Sequence, residues 1–262
     1  MKKVAYMIGA VIVVVVVAFF VSRSLEEAPT EIVPAEKEVY VVASDISWPP
    51  FEWKDEAGNY VGFDLDVMRA IAKLKGYEIE IKDVAFDSII GGVVTGKYDI
   101  GASGFTITDK REEVIDFSQA YWKSDQAVLV RKDSGLNMVT ALRDGHSVGA
   151  QRGTTGADWI QMNLIDKGID MELKLYETYP LAVLDLINNN LDAVIQHEPA
   201  SQISVAKEKA IGIAGVIVTG EEFGFLVQQG DPYGLLVKIS EGMKELQASG
   251  EWDKLVTKYF GE

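Results

Sequence analysis

The chain has 262 residues, 48% hydrophobic and 25% charged, a globular composition with length enough for one large domain or two lobes. Lys and Arg number 25 against 40 Asp and Glu; a formal net charge of −15 repels phosphate backbones and argues against a nucleic-acid partner. With no cysteine and only two histidines, His146 and His197, the sequence excludes disulfides, zinc–thiolate and iron–sulfur sites, a thiol nucleophile, a lipid-modified cysteine and a His-rich metal site; neither metal nor cofactor is expected.

Lys2 and Lys3 precede an uncharged apolar stretch over residues 4–21, followed by Arg23 and then Glu26 and Glu27. A secretory apolar core runs about 7–15 residues and a spanning helix about 17–25. Residues 1–23 therefore read as a membrane anchor or signal segment, with a cytoplasmic N-terminus. Arg23 spoils the best small-residue cleavage sites, at Ser22 and Ser24, which favours the anchor. Both readings place the remainder outside the cytoplasm, anchored or secreted, in the periplasm or at the cell surface. Residues 24–37 are rich in Glu, Pro and Ala without apolar periodicity and read as a solvated tether.

Beyond the tether the pattern is α/β. VYVVA (39–43) is a short apolar run, as expected of a strand buried on both faces. A turn-rich stretch with Trp48, Pro49 and Pro50 leads to an expected helix, with Asp64 as N-cap, Val67, Ile71 and Leu74 on one face, and Gly76 at its end. YEIEIKDV (77–84) alternates as a strand does. FDSIIGGVVTGKYDIGAS, starting at Phe86, and YPLAVLDLINNNLDAVIQ, starting at Tyr179, share a pattern 93 residues apart. Apolar residues fall at matching helical spacings (Ile90, Val93, Val94; Val183, Leu186, Ile187), then an Asp (Asp99, Asp192) and an apolar strand. The repeat implies two similarly built lobes with a ligand cleft between them. FGFLV (223–227) reads as a late strand, and Leu236, Ile239, Met243 and Leu246 mark an amphipathic helix.

The stretch GFTITDKREEVIDFSQAYW (104–122) resembles the signature of polar amino-acid-binding proteins, the family 3 extracellular solute-binding proteins of ABC importers. The resemblance runs over residues 39–261. It takes in SWPPFEW (47–53), GNYVGFDLDV (58–67), FDSIIGGVVTGKYD (86–99), VGAQRGTTGADW (148–159), LDAVIQHEP (191–199) and EWDKLVTKYFG (251–261). It implies a two-lobed periplasmic-binding-protein fold of the second type that closes hinge-wise on its ligand. One lobe would comprise 38–125 plus 222–262 and the other 126–221. The implied partners are a free polar amino acid and the permease subunits of an ABC transporter, with contact to the membrane through the N-terminal segment.

By the same resemblance, Arg111 clamps the ligand α-carboxylate, a task its bidentate fork suits and lysine cannot match. Without the motif it is a surface arginine able to pair with Glu112 or Asp116. Ser103, Gly104 and Thr106 match groups around the ligand head; alone they are ordinary strand-end residues. Thr154 and Thr155, in a Gly-Thr-Thr-Gly turn, match the second lobe's anion cradle at a helix N-terminus. Trp48 and Phe86 match aromatics that sandwich the ligand side chain, and Asp45 matches an acid at its far end. The family places an Asp for the ligand ammonium where this chain has His197, whose neutral ring offers one acceptor and no charge. Either Glu198 or Gln196 then takes over, or the ammonium is held differently, or the ligand is not an ordinary α-amino acid. A basic ligand, arginine or lysine, is favoured, with glutamine a close rival. The alternatives are a dehydratase-like enzyme, with Glu198 or His197 as general acid, and the ligand-binding domain of a sensor.

Overall fold

A computed structural model of the chain describes residues 37–261, so the anchor or signal segment and all but the last residue of the tether lie outside the described residues. Among the described residues no helix is long and apolar enough to cross a membrane. Strand β1 (Val39–Ser44) leads into a small antiparallel sheet of β2 (Ser47–Trp48), β3 (Glu52–Lys54) and β4 (Tyr60–Val61). Helix α1 (Phe63–Lys75), β5 (Glu78–Asp83), α2 (Phe86–Val94), β6 (Ile100–Gly101), the short α3 (Asp109–Glu112) and β7 (Ile115–Phe117) follow. The second half holds β8 (Trp122–Arg131), α4 (Met138–Ala141), β9 (Ser147–Gln151), α5 (Thr155–Asn163), a 3-10 turn (Ile165–Lys167) and β10 (Glu172–Tyr176). It continues through α6 (Tyr179–Ile187), β11 (Ala193–His197), α7 (Glu198–Lys207) and the long β12 (Ile211–Phe223). The chain closes with β13 (Leu226–Gln228), α8 (Leu235–Ser249) and α9 (Glu251–Phe260).

These strands form two five-stranded mixed sheets, ordered β5-β1-β6-β13-β7 and β10-β9-β11-β8-β12, each the centre of one α/β lobe. In the first, β1 lies parallel to β5 and β6; in the second, β9 lies parallel to β10 and β11. The expected sequence repeat is a structural one: α2 then β6 in one lobe, α6 then β11 in the other. Its two aspartates do the same work. Asp99 Oδ2 accepts from Val41 N on β1 at 2.9 Å, and Asp192 Oδ2 accepts from Ser147 N on β9 at 2.8 Å. Each carboxylate thus ties the strand after the helix to the first strand of its parallel pair.

Three local expectations need correction. Asp64 does not cap α1; Gly62 does, with φ of 138°, and a Cβ there would meet Phe51 O at 2.0 Å, so only glycine fits. Asp64 is instead fully buried in the first turn. Leu74 stands exposed; the buried stripe of α1 runs through Val67, Met68, Ile71 and Ala72. The run 223–227 is not one strand: β12 ends at Phe223 and β13 begins at Leu226 because the chain passes there from the second sheet to the first. The expected helix with Ile239, Met243 and Leu246 is α8, and those three are buried.

Replacing Asp99 by alanine leaves the Val41 amide without its charged acceptor, which costs about 2 kcal/mol. For a body of this size that is a fall in Tm of roughly 4–8 °C. Differential scanning calorimetry of Asp99→Ala and Asp192→Ala should show similar falls; an unchanged Tm in either removes the anchoring role.

Candidate ligand-binding site

Between the two sheets lies a narrow pocket lined by Asp45, Trp48, Phe86, Ser103, Gly104, Thr106, Arg111, Gln151, Thr154, Thr155, Tyr179 and His197. Ten of the eleven residues picked from sequence are here. Gln151 and Tyr179 were missed, although Tyr179 opens the second copy of the repeat as Phe86 opens the first. Glu198 does not reach the pocket. It is the first residue of α7, accepts from Gln202 Nε2 at 3.1 Å, and lines a separate groove, because the helix turns it away from the preceding β11.

One end of the pocket is cationic. Thr108 caps α3 through the Arg111 amide, and the Arg111 guanidinium donates to Thr106 O at 2.7 Å and to Gly153 O at 3.0 Å, bridging the halves. Burial lowers its pKa, while Asp158 and Glu221 oppose that shift. Opposite, Thr154 caps α5 by accepting from Ala157 N at 3.3 Å, so the N-terminus of a nine-residue helix and its partial positive charge face the same space. Thr106 and Thr155 meet across the cleft, their hydroxyls 3.3 Å apart.

Aromatic rings form the walls. Trp48 stacks on Phe51 (4.7 Å between centroids, 17° between planes) and Phe86 on Phe105 (4.6 Å, 15°). Gly104, with φ of 54°, passes under Trp48 so closely that a Cβ would lie 2.2 Å from the ring. Its amide donates to Asp64 Oδ2 at 2.9 Å, so the backbone group it can offer a ligand is its carbonyl. The Ser103 hydroxyl is likewise engaged, donating to Glu52 Oε1 at 2.7 Å and accepting from Asp45 N at 3.2 Å.

The other end is anionic. Asp45 follows β1, is 4% exposed, and accepts from Gln151 Nε2 at 2.5 Å and Ser47 Oγ at 2.8 Å. Burial raises its carboxyl, the two hydrogen bonds lower it, and the charges of Asp83 and Glu177 raise it again. Asp45 lines this end of the pocket, and Asp83 and Glu177 act on it from outside the lining. Among the described residues no group of His, Cys, Asp or Glu is arranged to hold a metal ion.

Beneath Ser103 and Gly104 lie two fully buried acids, Glu52 and Asp64. Burial and the neighbouring Asp64 charge push Glu52 well up, and burial pushes Asp64 up to about 7 against the Tyr121 hydroxyl and the Gly104 amide that donate to it. Glu52 Oε2 and Asp64 Oδ1 have no protein partner among the described residues.

Two α/β lobes enclosing a pocket with a cationic and an anionic end define a two-lobed solute receptor. Residues 40–262 match the family of bacterial extracellular solute-binding proteins, family 3, and the chain belongs to that family of binding proteins. It is 34% identical over 227 residues to a probable histidine-binding protein of Neisseria gonorrhoeae, covering 86% of this chain and 84% of that one. It superposes with a TM-score of 0.79 and 32% identity on an ancestral arginine-binding protein bound to arginine, covering 86% of this chain and 99% of the other. A structure of an ancestral arginine-binding protein bound to glutamine fits with the same score, identity and coverage.

The buried acids set a pH dependence of stability. Their folded-state pKa values lie above the usual carboxyl value, so between about pH 4 and 7 the folded chain holds more protons than the unfolded one, and their contribution falls as pH rises. Glu52→Gln removes one of the two acids and the repulsion between them. Its urea midpoint should exceed that of the wild type at pH 8, with the gap narrowing toward pH 5; parallel pH profiles would show that the pair is not the source.

Proposed function

We propose that the protein captures a basic amino acid, arginine or lysine, by closing its lobes, and delivers it to the permease of an ABC importer. The observation that carries this reading is the opposed charge of the pocket's ends. Arg111 and the start of α5 suit an α-carboxylate, and Asp45, with Asp83 and Glu177 behind it, suits a cationic tip. Trp48 and Phe86 suit the stem and planar head of an arginine side chain, a contact worth about 0.5–2 kcal/mol when desolvated. Relatives named for arginine and histidine support the cationic choice. Glutamine, carried by one similar structure, is the rival, because Gln151 and Ser47 beside Asp45 can also serve an amide. Either way the receptor works outside the cytoplasm, held there by residues 1–23 or released from them.

Calorimetry over the twenty amino acids should find arginine or lysine tightest; glutamine tightest would overturn the basic assignment. Asp45→Asn should weaken arginine about tenfold or more and spare glutamine. Arg111→Ala removes one partner of a buried charge pair and should cost every amino acid at least about 100-fold. A folded Arg111→Ala protein that still binds tightly would exclude this arginine as the clamp.

A further inference from the structure

Glu221, near the end of β12, was not among the residues the sequence singled out, yet it joins both lobes behind one wall of the pocket. Its Oε2 accepts from Thr155 Oγ1 at 2.5 Å and Thr106 Oγ1 at 2.7 Å and lies 2.9 Å from His197 Nε2. Its Oε1 accepts from Gln126 Nε2 at 3.1 Å. Side-chain exposures of 12% for Glu221 and 6% for His197 leave the pair largely buried. Burial raises the Glu221 carboxyl, but its hydrogen bonds with His197 and the two hydroxyls, and the charge that His197 carries when protonated, outweigh it and hold the group below the usual carboxylate range. Gln126 Nε2 also lies 3.0 Å from His197 Nε2, but an ionised carboxylate only accepts, so the hydrogen between His197 and Glu221 is assigned to His197 Nε2. In the neutral ring this leaves Nδ1 as an acceptor. His197 lines the pocket.

We propose that His197 and Glu221 together receive the ligand's α-ammonium: Nδ1 accepts its hydrogen bond, and Glu221 supplies through the ring the negative charge that imidazole lacks. This rests on the reading of the ligand as an α-amino acid. An ammonium drawn into the cleft needs a compensating anion, and leaving it unpaired is costly. Glu198 is turned into another groove, and Gln196, bonded to Ser204, carries no charge. The other charged groups near the pair are Arg111, whose charge interacts with Glu221 at the carboxylate end, and Asp45, at the far end of the pocket. Trp48 and Phe223 pack their rings against the imidazole and add no charge.

The test is calorimetry on the full chain with L-arginine and with 5-guanidinopentanoic acid, the same molecule without its ammonium. Glu221→Gln keeps the shape and removes the charge. It should weaken arginine about tenfold or more while changing the des-amino acid by less than about twofold. His197→Asp alone crowds two carboxylates and should weaken arginine; combined with Glu221→Gln it should restore binding. Equal effects of Glu221→Gln on both ligands, or none on arginine, overturn the inference and leave the receptor reading intact. If the wild type prefers glutamine, L-glutamine and 4-carbamoylbutanoic acid take the same places. A wild-type chain that binds no α-amino acid overturns the receptor reading and this inference with it.

Discussion

Parallel pairing is the constraint on which the site depends. In both sheets the parallel strands run toward the crevice, so the chain leaves each strand at the pocket and enters the following turn or helix there. Asp45 follows β1, Ser103 and Gly104 follow β6, Gln151 ends β9 and His197 ends β11, while Phe86, Thr155 and Tyr179 open the helices after β5, β9 and β10. Helix N-termini and strand carboxyl ends converge on one space, where α/β folds hold ligands. Asp99 and Asp192 fix the pairing that makes this geometry.

The polar groups around the pocket are not equally available. Ser103, the Gly104 amide and Thr154 are committed to protein partners that hold the loops in place, and their role is to keep the walls where they are. The guanidinium of Arg111 and the carboxylate of Asp45 keep hydrogen-bonding capacity beyond the contacts they make. The floor under Ser103 and Gly104 contains two acids whose ionisation burial disfavours, so it carries less charge than two free carboxylates would.

Much of this was legible in the sequence, and the reasons for the rest are physical. The repeat at Phe86 and Tyr179 was visible because helix spacing and a strand-tying Asp are local patterns. Arg111, Thr106 and the Gly-Thr-Thr-Gly turn were visible because their motif is contiguous. Tyr179 was readable from the same repeat, by carrying Phe86's position across. Glu221 left no such trace: in Val-Thr-Gly-Glu-Glu it looks like a solvated turn, and only the pairing of β12 with β8, Glu221 opposite Ser124, brings it to the pocket. Glu198 misled for the converse reason, since adjacency in sequence to His197 says nothing of direction once a helix begins between them. Asp64 had the residue type of a cap and the burial of a core acid, and composition alone does not separate those.

The acid end of the pocket has a mechanical side. Asp45 and Asp83 belong to one lobe and Glu177 to the other, where its carbonyl accepts from the same Gln151 amide that reaches Asp45. In the proposed closure the approach of the lobes brings these like charges together, a small electrostatic spring working against it. In the proposed complex a cationic tip held at Asp45 offsets that repulsion. The spring relaxes for a positively charged passenger and stays loaded for a neutral one, so the shut shape itself carries information about what lies inside.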